Sequence, residues 1–349
     1  MIENLIIGNG FSALCSYLML KKFNTKILHF TKVNSNPNFL INRDNLNSNK
    51  LFSKRSISLG NINYKLHYNV KIHDRLISGG NTNIWGGFIN IENIPDNYLK
   101  KFNQHSINFQ KLNLETNGYK TNNSSIRQLR DKNNNILNSE LFLKNCIHGF
   151  LHSFKVEKNK IIVKIFDQKE NNFTFLNTKK LILAISFPQL IDLLFRSKLL
   201  NDVKKFSLNE FNHKFIINFS KNLAKYNFND CVIKYDFLRS LKHYLGYQKS
   251  LDKFKIPFPI YVDQIFYNNK KFIQLNLDFE NNIISHSKKI KKFGDSIHYC
   301  NLFLDNISVN DYLIKISKNI IGTGMSFINQ IKPGPISNDI MHDIYNKLR

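Results

Sequence analysis

Acidic residues are scarce in this chain. Its 349 residues hold 25 Asp and Glu against 50 Lys and Arg, a net charge of +25. Such an excess favours an anionic partner: nucleic acid, anionic lipid, or a phosphorylated or sugar-acid substrate. The lysines are spread along the chain rather than blocked, however. Asn, Lys, Ile and Phe, all heavily used, share A/T-rich codons, so biased codon usage accounts for the charge and no nucleic-acid partner is expected. Cysteine is equally sparse. Cys15, Cys146, Cys231 and Cys300 are scattered and form no C-x-x-C pair, which excludes a zinc site of that kind and fits a reduced, cytoplasmic setting. No uninterrupted apolar run reaches the roughly 18 residues that span a bilayer, so no transmembrane helix is expected. The first apolar run opens within a few residues of Met1 and leaves no space for a secretory leader.

A real core is still available. Hydrophobic residues make up 42% of the chain, and its length suits one large or two modest domains. The opening stretch, LIIGNGFSALCSYLMLKK (residues 5–22), reads as a strand, a bare turn and a helix. The turn Gly8-Asn9-Gly10-Phe11-Ser12-Ala13 fits G-x-G-x-x-A. Gly8 permits the tight turn, Gly10 lets the backbone approach a diphosphate, and Ala13 lets the helix pack close to the strand. A diphosphate would lie on the helix N-terminus, where free N–H groups and the dipole favour negative charge. A second apolar strand follows at residues 26–31, completing the context that the fingerprint needs. The acid expected about 20 residues on, to hold a ribose hydroxyl, is missing. His29, Thr31 and Lys32 stand there instead; Thr31 offers one hydrogen bond, and Lys32 suits a 2′-phosphate. The turn alone does not choose between NADP and FAD.

Further along, residues 33–54 are polar and read as a surface excursion. HDRLISGGNTNIWGGFIN (residues 73–90) carries two glycine pairs, and residues 96–140 read as helix and loop. FLHSFKVEKNKIIVKIFD (residues 150–167) alternates as hairpin strands turning near Asn159. Residues 181–184 read as a buried strand, followed by a turn and an apolar helix. Residues 200–292 alternate with many aromatics, as in an antiparallel sheet. KNIIGTG returns to a buried strand, and a closing helix follows PGP. The elements predict an α/β fold: a split Rossmann-type domain over residues 1–199 and 293–349, with an inserted antiparallel-sheet substrate or cap domain over residues 200–292; flavoproteins commonly interleave the nucleotide fold in this way, so the split domain is expected to be FAD-binding.

Four segments, in order, resemble the glucose–methanol–choline (GMC) oxidoreductases and their pyranose-oxidase-like relatives, FAD enzymes that oxidise alcohols. They are the turn at Gly8–Ala13; RLISGGNTNIWGG, similar to the loop that runs beside the flavin in that family; LILAISFPQLIDLLFRS; and the tail, SIHYCNLF with NIIGTGMSF…KPGPISNDIM. The resemblance implies FAD contacts at Gly8, Gly10, Phe11, Ser12, Ala13, Thr31, Gly79, Gly80, Asn81, Thr82, Asn83, Trp85, Leu151, Ala184, Gly322 and Thr323. It implies His298 as the base that takes a hydroxyl proton, in an apolar setting that lowers its pKa. Asn338, with Asn329 and His342 nearby, is the candidate for the second catalytic position, because the matching residue is Gly334. Trp85, the one tryptophan, would stack on flavin or sugar. Ile84 occupies the family's flavin-linking position, so the flavin is expected to be non-covalent. Asn301-Leu302 replace the Gly-Thr that follows the family's histidine. The function implied is hydride transfer from an alcohol or sugar-like hydroxyl to FAD, with an unknown electron acceptor. The alternatives are a non-oxidising or degenerate flavoprotein, such as a sugar-ring isomerase, and a basic nucleic-acid- or membrane-binding protein.

Overall fold

The computed structural model describes residues 1–29, 56–59, 62–65, 80–83, 85, 87–113, 119–121, 123–139, 146–167, 170–218, 232–234, 260–266, 271–278, 283–285, 295–329 and 335–349. The chain opens with β1 (Ile2–Ile7), α1 (Phe11–Leu20) and β2 (Thr25–His29). β3 (Ser56–Leu59) and β4 (Ile62–Lys65) form a hairpin. β5 (Phe88–Asn90), α2 (Asp96–Gln104), β6 (Asn108–Lys111), β7 (Tyr119–Thr121) and β8 (Ile126–Arg130) follow. Next come β9 (Ile147–His148), β10 (Phe150–Glu157), β11 (Lys160–Asp167), β12 (Asn172–Leu183) and α3 (Phe187–Arg196). The later strands are β13 (Phe206–Asn218), β14 (Val232–Lys234), β15 (Ile260–Phe266), β16 (Lys271–Asp278), β17 (Ile283–Ser285) and β18 (Asp295–Leu304). β19 (Ile307–Ser308), α4 (Val309–Ile316), β20 (Ile320–Gly322) and α5 (Ile336–Leu348) close the chain.

β1 lies between β2 and β12, parallel to both. A strand covered on both faces must be apolar throughout, and Leu5, Ile6 and Ile7 are all buried. Leu5 and Ile7 face one core with Leu181, Leu183 and Leu190 of β12 and α3. Ile6 faces the other way, onto Ala13 and Ile182. Ala13 thus lets α1 lie close on the sheet, as the turn motif predicts. α1 also packs through Leu14, Cys15 and Leu18 against Met341 and Ile344 of α5 and Tyr98 and Phe102 of α2.

β12 changes partners along its length. Residues 172–178 pair antiparallel with β11. Residues 181–183 pair in parallel with β20 on that same edge, while β1 holds the other. Burial follows: residues 172–175 are exposed and residues 181–183 are buried. The expected hairpin is β10–β11, with Glu157 opposite Lys160. The molecule therefore has an α/β fold, with a Rossmann-type parallel core and added antiparallel sheets.

The expected antiparallel region is a ten-stranded sheet. It takes β13–β17 from residues 200–292, and it also recruits β3, β4, β7, β18 and β19 from outside that range. Residues 96–140 hold more strand than their sequence suggests: β6, β7 and β8 lie there, and β6 and β8 form a small antiparallel sheet with the preceding β5. Among the described residues, no helix is long and apolar enough to cross a membrane, and no three His, Cys, Asp or Glu side chains gather as a metal site.

Candidate functional site

The turn after β1 is constrained by its own backbone. Gly8 has φ +118°, and a Cβ there would lie 2.3 Å from the Ala184 carbonyl oxygen. Its N–H donates to Leu28 O at 2.9 Å, and Ala184 N donates to Ile7 O at 2.9 Å, so the strand ends lock around it. Gly10 begins α1 at φ −82° with no side-chain cap, and the first turn holds no acidic residue. The first-turn N–H groups have no capping side chain among the described residues, and the helix dipole adds positive potential.

Three other stretches singled out by the sequence converge here. Gly80–Asn83 form a short 3₁₀ turn, and a Cβ on Gly80 would stand 3.3 Å from Gly10 Cα. Ala184 abuts Gly8. Thr323 N donates to Leu183 O at 2.9 Å, and Ser16 Oγ lies 3.5 Å from Thr323 Oγ1. Gly324, at φ +94°, lies so close that a Cβ would come 2.5 Å from Ser12 Oγ. Trp85 anchors the Gly80 segment. Its indole N–H donates to Leu137 O at 2.7 Å, and its ring stands 4.8 Å from that of Phe11.

Sequence reasoning missed Ser139. Its hydroxyl donates to Asn9 O at 2.5 Å and lies 3.0 Å from Thr82 Oγ1, while its N–H donates to Thr82 Oγ1 at 3.1 Å. Ser139 therefore ties the fingerprint turn to the Gly80 segment. It lies in a polar stretch with no motif, and only through-space packing reveals it. Ser326, whose hydroxyl donates to Ile185 O at 3.3 Å, is a second such link.

The remaining candidates have the following surroundings. Leu151 is buried in the core with Phe154 and Val163, and its carbonyl accepts from Arg196 at 2.9 Å. Its side chain therefore packs in the core. Asn338 is likewise spent. Its Nδ2 donates to Asn90 O at 2.7 Å and Asn93 O at 3.0 Å, and its Oδ1 accepts from Asn90 N at 2.9 Å. It clamps α5 to β5, and no free amide remains for a second catalytic group. His342 is exposed and donates through Nε2 to Asn93 O at 2.8 Å; Asn329 is exposed. His298 sits in β18 opposite Phe211 of β13. Asn81 and Asn83 lie on the 3₁₀ turn. Thr31, Lys32, Gly79, Ile84 and Gly334 fall outside the described residues.

Burial raises the Cys15 thiol well above its ordinary value and keeps it protonated behind the turn. The site is thus a backbone cradle: an uncapped helix N-terminus walled by Gly8, Gly80 and Gly324. Its chemistry fits the diphosphate of a dinucleotide. The position for a ribose-holding acid falls outside the described residues.

No family model matches this chain, and no curated protein matches it. Solved structures with partial likeness include a flavoprotein/dehydrogenase from Cytophaga hutchinsonii at 10% identity and TM-score 0.34, covering 99% of this chain and 76% of that one. The substrate-free rebeccamycin biosynthetic enzyme REBC stands at 9% identity and TM-score 0.39, covering 99% and 61%. The glycerol-3-phosphate dehydrogenase from Bacillus halodurans complexed with FAD stands at 11% and 0.28, covering 82% and 60%. The chain thus spans less than two thirds of the last two proteins. Overlap at this level defines no family.

Proposed function

We propose that this chain binds FAD non-covalently, with the diphosphate on the N-terminus of α1, and oxidises a hydroxyl of a small polar molecule. The observation that carries the reading is the convergence of Gly80–Asn83, Ala184 and Thr323–Gly324 on an uncapped helix N-terminus. The N–H groups of Phe11, Ser12 and Ala13 bind the diphosphate, and the glycine walls let the backbone approach it. The Trp85–Phe11 contact and the Ser139 bridge hold the Gly80 segment in place beside it. Bound FAD supplies a two-electron hydride acceptor. His298 receives the hydroxyl proton on a neutral ring nitrogen. This last assignment rests on the resemblance to the GMC enzymes.

One observation favours a second reading, flavin held without alcohol turnover: the amide of Asn338 is fully engaged, so the second catalytic position has no occupant there. Absorbance of the purified protein tests the common premise, and anaerobic bleaching with a panel of alcohols and sugars separates the two readings. Gly10→Val is the decisive variant. Its φ of −82° suits any residue, so the circular dichroism should persist while the yellow colour is lost. Colour retained at full occupancy sinks the diphosphate assignment. His298→Ala should keep the flavin and slow its reduction about 10²- to 10⁴-fold.

A further inference from the structure

The meander β10–β12 carries a cleft of about 880 Å³ beside the end of α3. It lies about 23 Å along β12 from Ala184, taking Asn177 as its near wall and ~3.3 Å per residue, and it shares no residue with the turn. That volume is in the range of small-molecule sites. Ile162 and Phe175 are its apolar residues on the open face of the meander, while Leu199 and Ile316 at its side pack on the core behind. Phe175 is 64% exposed, a large apolar side chain without cover.

The rim is positive. Arg196 is already committed, buried against Asp192 at 2.6 Å, and Lys160 pairs with Glu157 at 3.5 Å. Glu157 is the one carboxylate lining the cleft. Lys155, Lys164 and Lys198 form no ion pair among the described residues; Lys164 rests on the Phe173 ring at 4.0 Å. The register sets Lys155 opposite Ile162 and Lys164 opposite Phe175. The two lysines are therefore diagonal neighbours on one face of the sheet, interleaved with the apolar pair. The positive field also reaches His152, which burial, Arg196 and Lys164 together hold below its ordinary pKa. Uncompensated like charges over an apolar floor match a ligand that has both an anionic head and an apolar body.

We propose that this cleft binds an amphiphilic anion, its carboxylate or phosphate head on Lys155 and Lys164 and its body on Ile162 and Phe175. The site is independent of the flavin reading, because no residue is shared. Dodecanoate below its micelle concentration is the probe, read by calorimetry on the full chain. Dodecanoate should bind at least about tenfold more tightly than dodecanol, which lacks the head, or acetate, which lacks the body, a difference of about 1.4 kcal/mol. Lys155→Glu with Lys164→Glu should weaken it at least about tenfold, and so should Phe175→Ser with Ile162→Ser. Lys132→Glu, on an exposed turn elsewhere, should leave it unchanged, and melting curves confirm that every variant is folded. The same chemistry is offered by vesicles containing phosphatidylserine. A built cleft takes the monomer on its own, so binding to vesicles alone overturns the proposal. Equal affinity for dodecanol, equal weakening by Lys132→Glu, or binding of oligonucleotide in place of dodecanoate also overturns it.

Discussion

Asn301 holds φ +47° inside β18, where the register between β13 and β18 slips by one residue. A left-handed residue in a strand is the mark of a bulge, and glycine is its natural occupant. Asparagine is the side chain that best tolerates this conformation after glycine. Here it is also buried at 4% exposure, with Oδ1 lacking a hydrogen-bond partner among the described residues. Asn301→Gly removes both costs and should stabilise the protein by about 1 kcal/mol. Asn301→Val should destabilise it by about 2 kcal/mol. Urea titration of both variants checks this; a loss of stability in the glycine variant would show that the carboxamide has a partner after all. Residues of this kind are legible from sequence when the constraint is local backbone shape, as at Gly8, where the motif alone marks the turn. Ser139 is not legible, because its partners Asn9 and Thr82 are more than 50 positions away.

At the scale of elements, α5 is fixed to β5 by side chains rather than by sheet pairing. Ser337 Oγ donates to Phe88 O at 2.5 Å, and Asn338 makes the three bonds to Asn90 and Asn93 described above. Asn90 is itself buried. Asn338→Ala leaves its backbone N–H and C=O without partners, and should cost about 3 kcal/mol. The flavin content of the folded fraction and the reduction rate per flavin should be unchanged. A hundredfold slower rate at unaltered melting temperature would restore Asn338 to catalysis. The long apolar elements were readable: β1, α1, β2, the β10–β11 hairpin, α3, β20 and α5 all have strong periodicity or turn signals. β5, β6 and β8 were not, since they are three to five residues long and β6 is largely uncovered, with the pattern exposed–half–half–exposed.

Over the whole molecule, charge and partner choice are less legible than elements. The ten-stranded sheet gathers β3, β4 and β7 with strands more than a hundred residues later, and such non-local pairing leaves no periodic trace. The net charge of +25 does, however, make a testable statement about acid. Among the described residues, two histidines sit among cations. His105 Nε2 accepts from Lys21 Nζ at 2.8 Å, and burial with Lys21 lowers its pKa from 6.5. His152, beside Arg196 and Lys164, is lowered chiefly by burial. Each is harder to protonate folded than unfolded. Below pH 6.5, the ordinary value for both, the unfolded chain therefore binds more protons, and stability rises with pH through that window. It is fully present above it and is lost as pH falls toward the folded values. Self-repulsion of a strongly cationic chain acts in the same direction. Replacing both rings separates the two effects. In His105→Gln with His152→Gln, the melting temperature should fall less steeply between pH 6.5 and 5 than in the parent, because the contribution of these two rings is removed. At high salt the repulsion is screened, and the double variant should still have a shallower slope than the parent. Identical slopes for parent and variant at high salt would show that neither imidazole is coupled to folding.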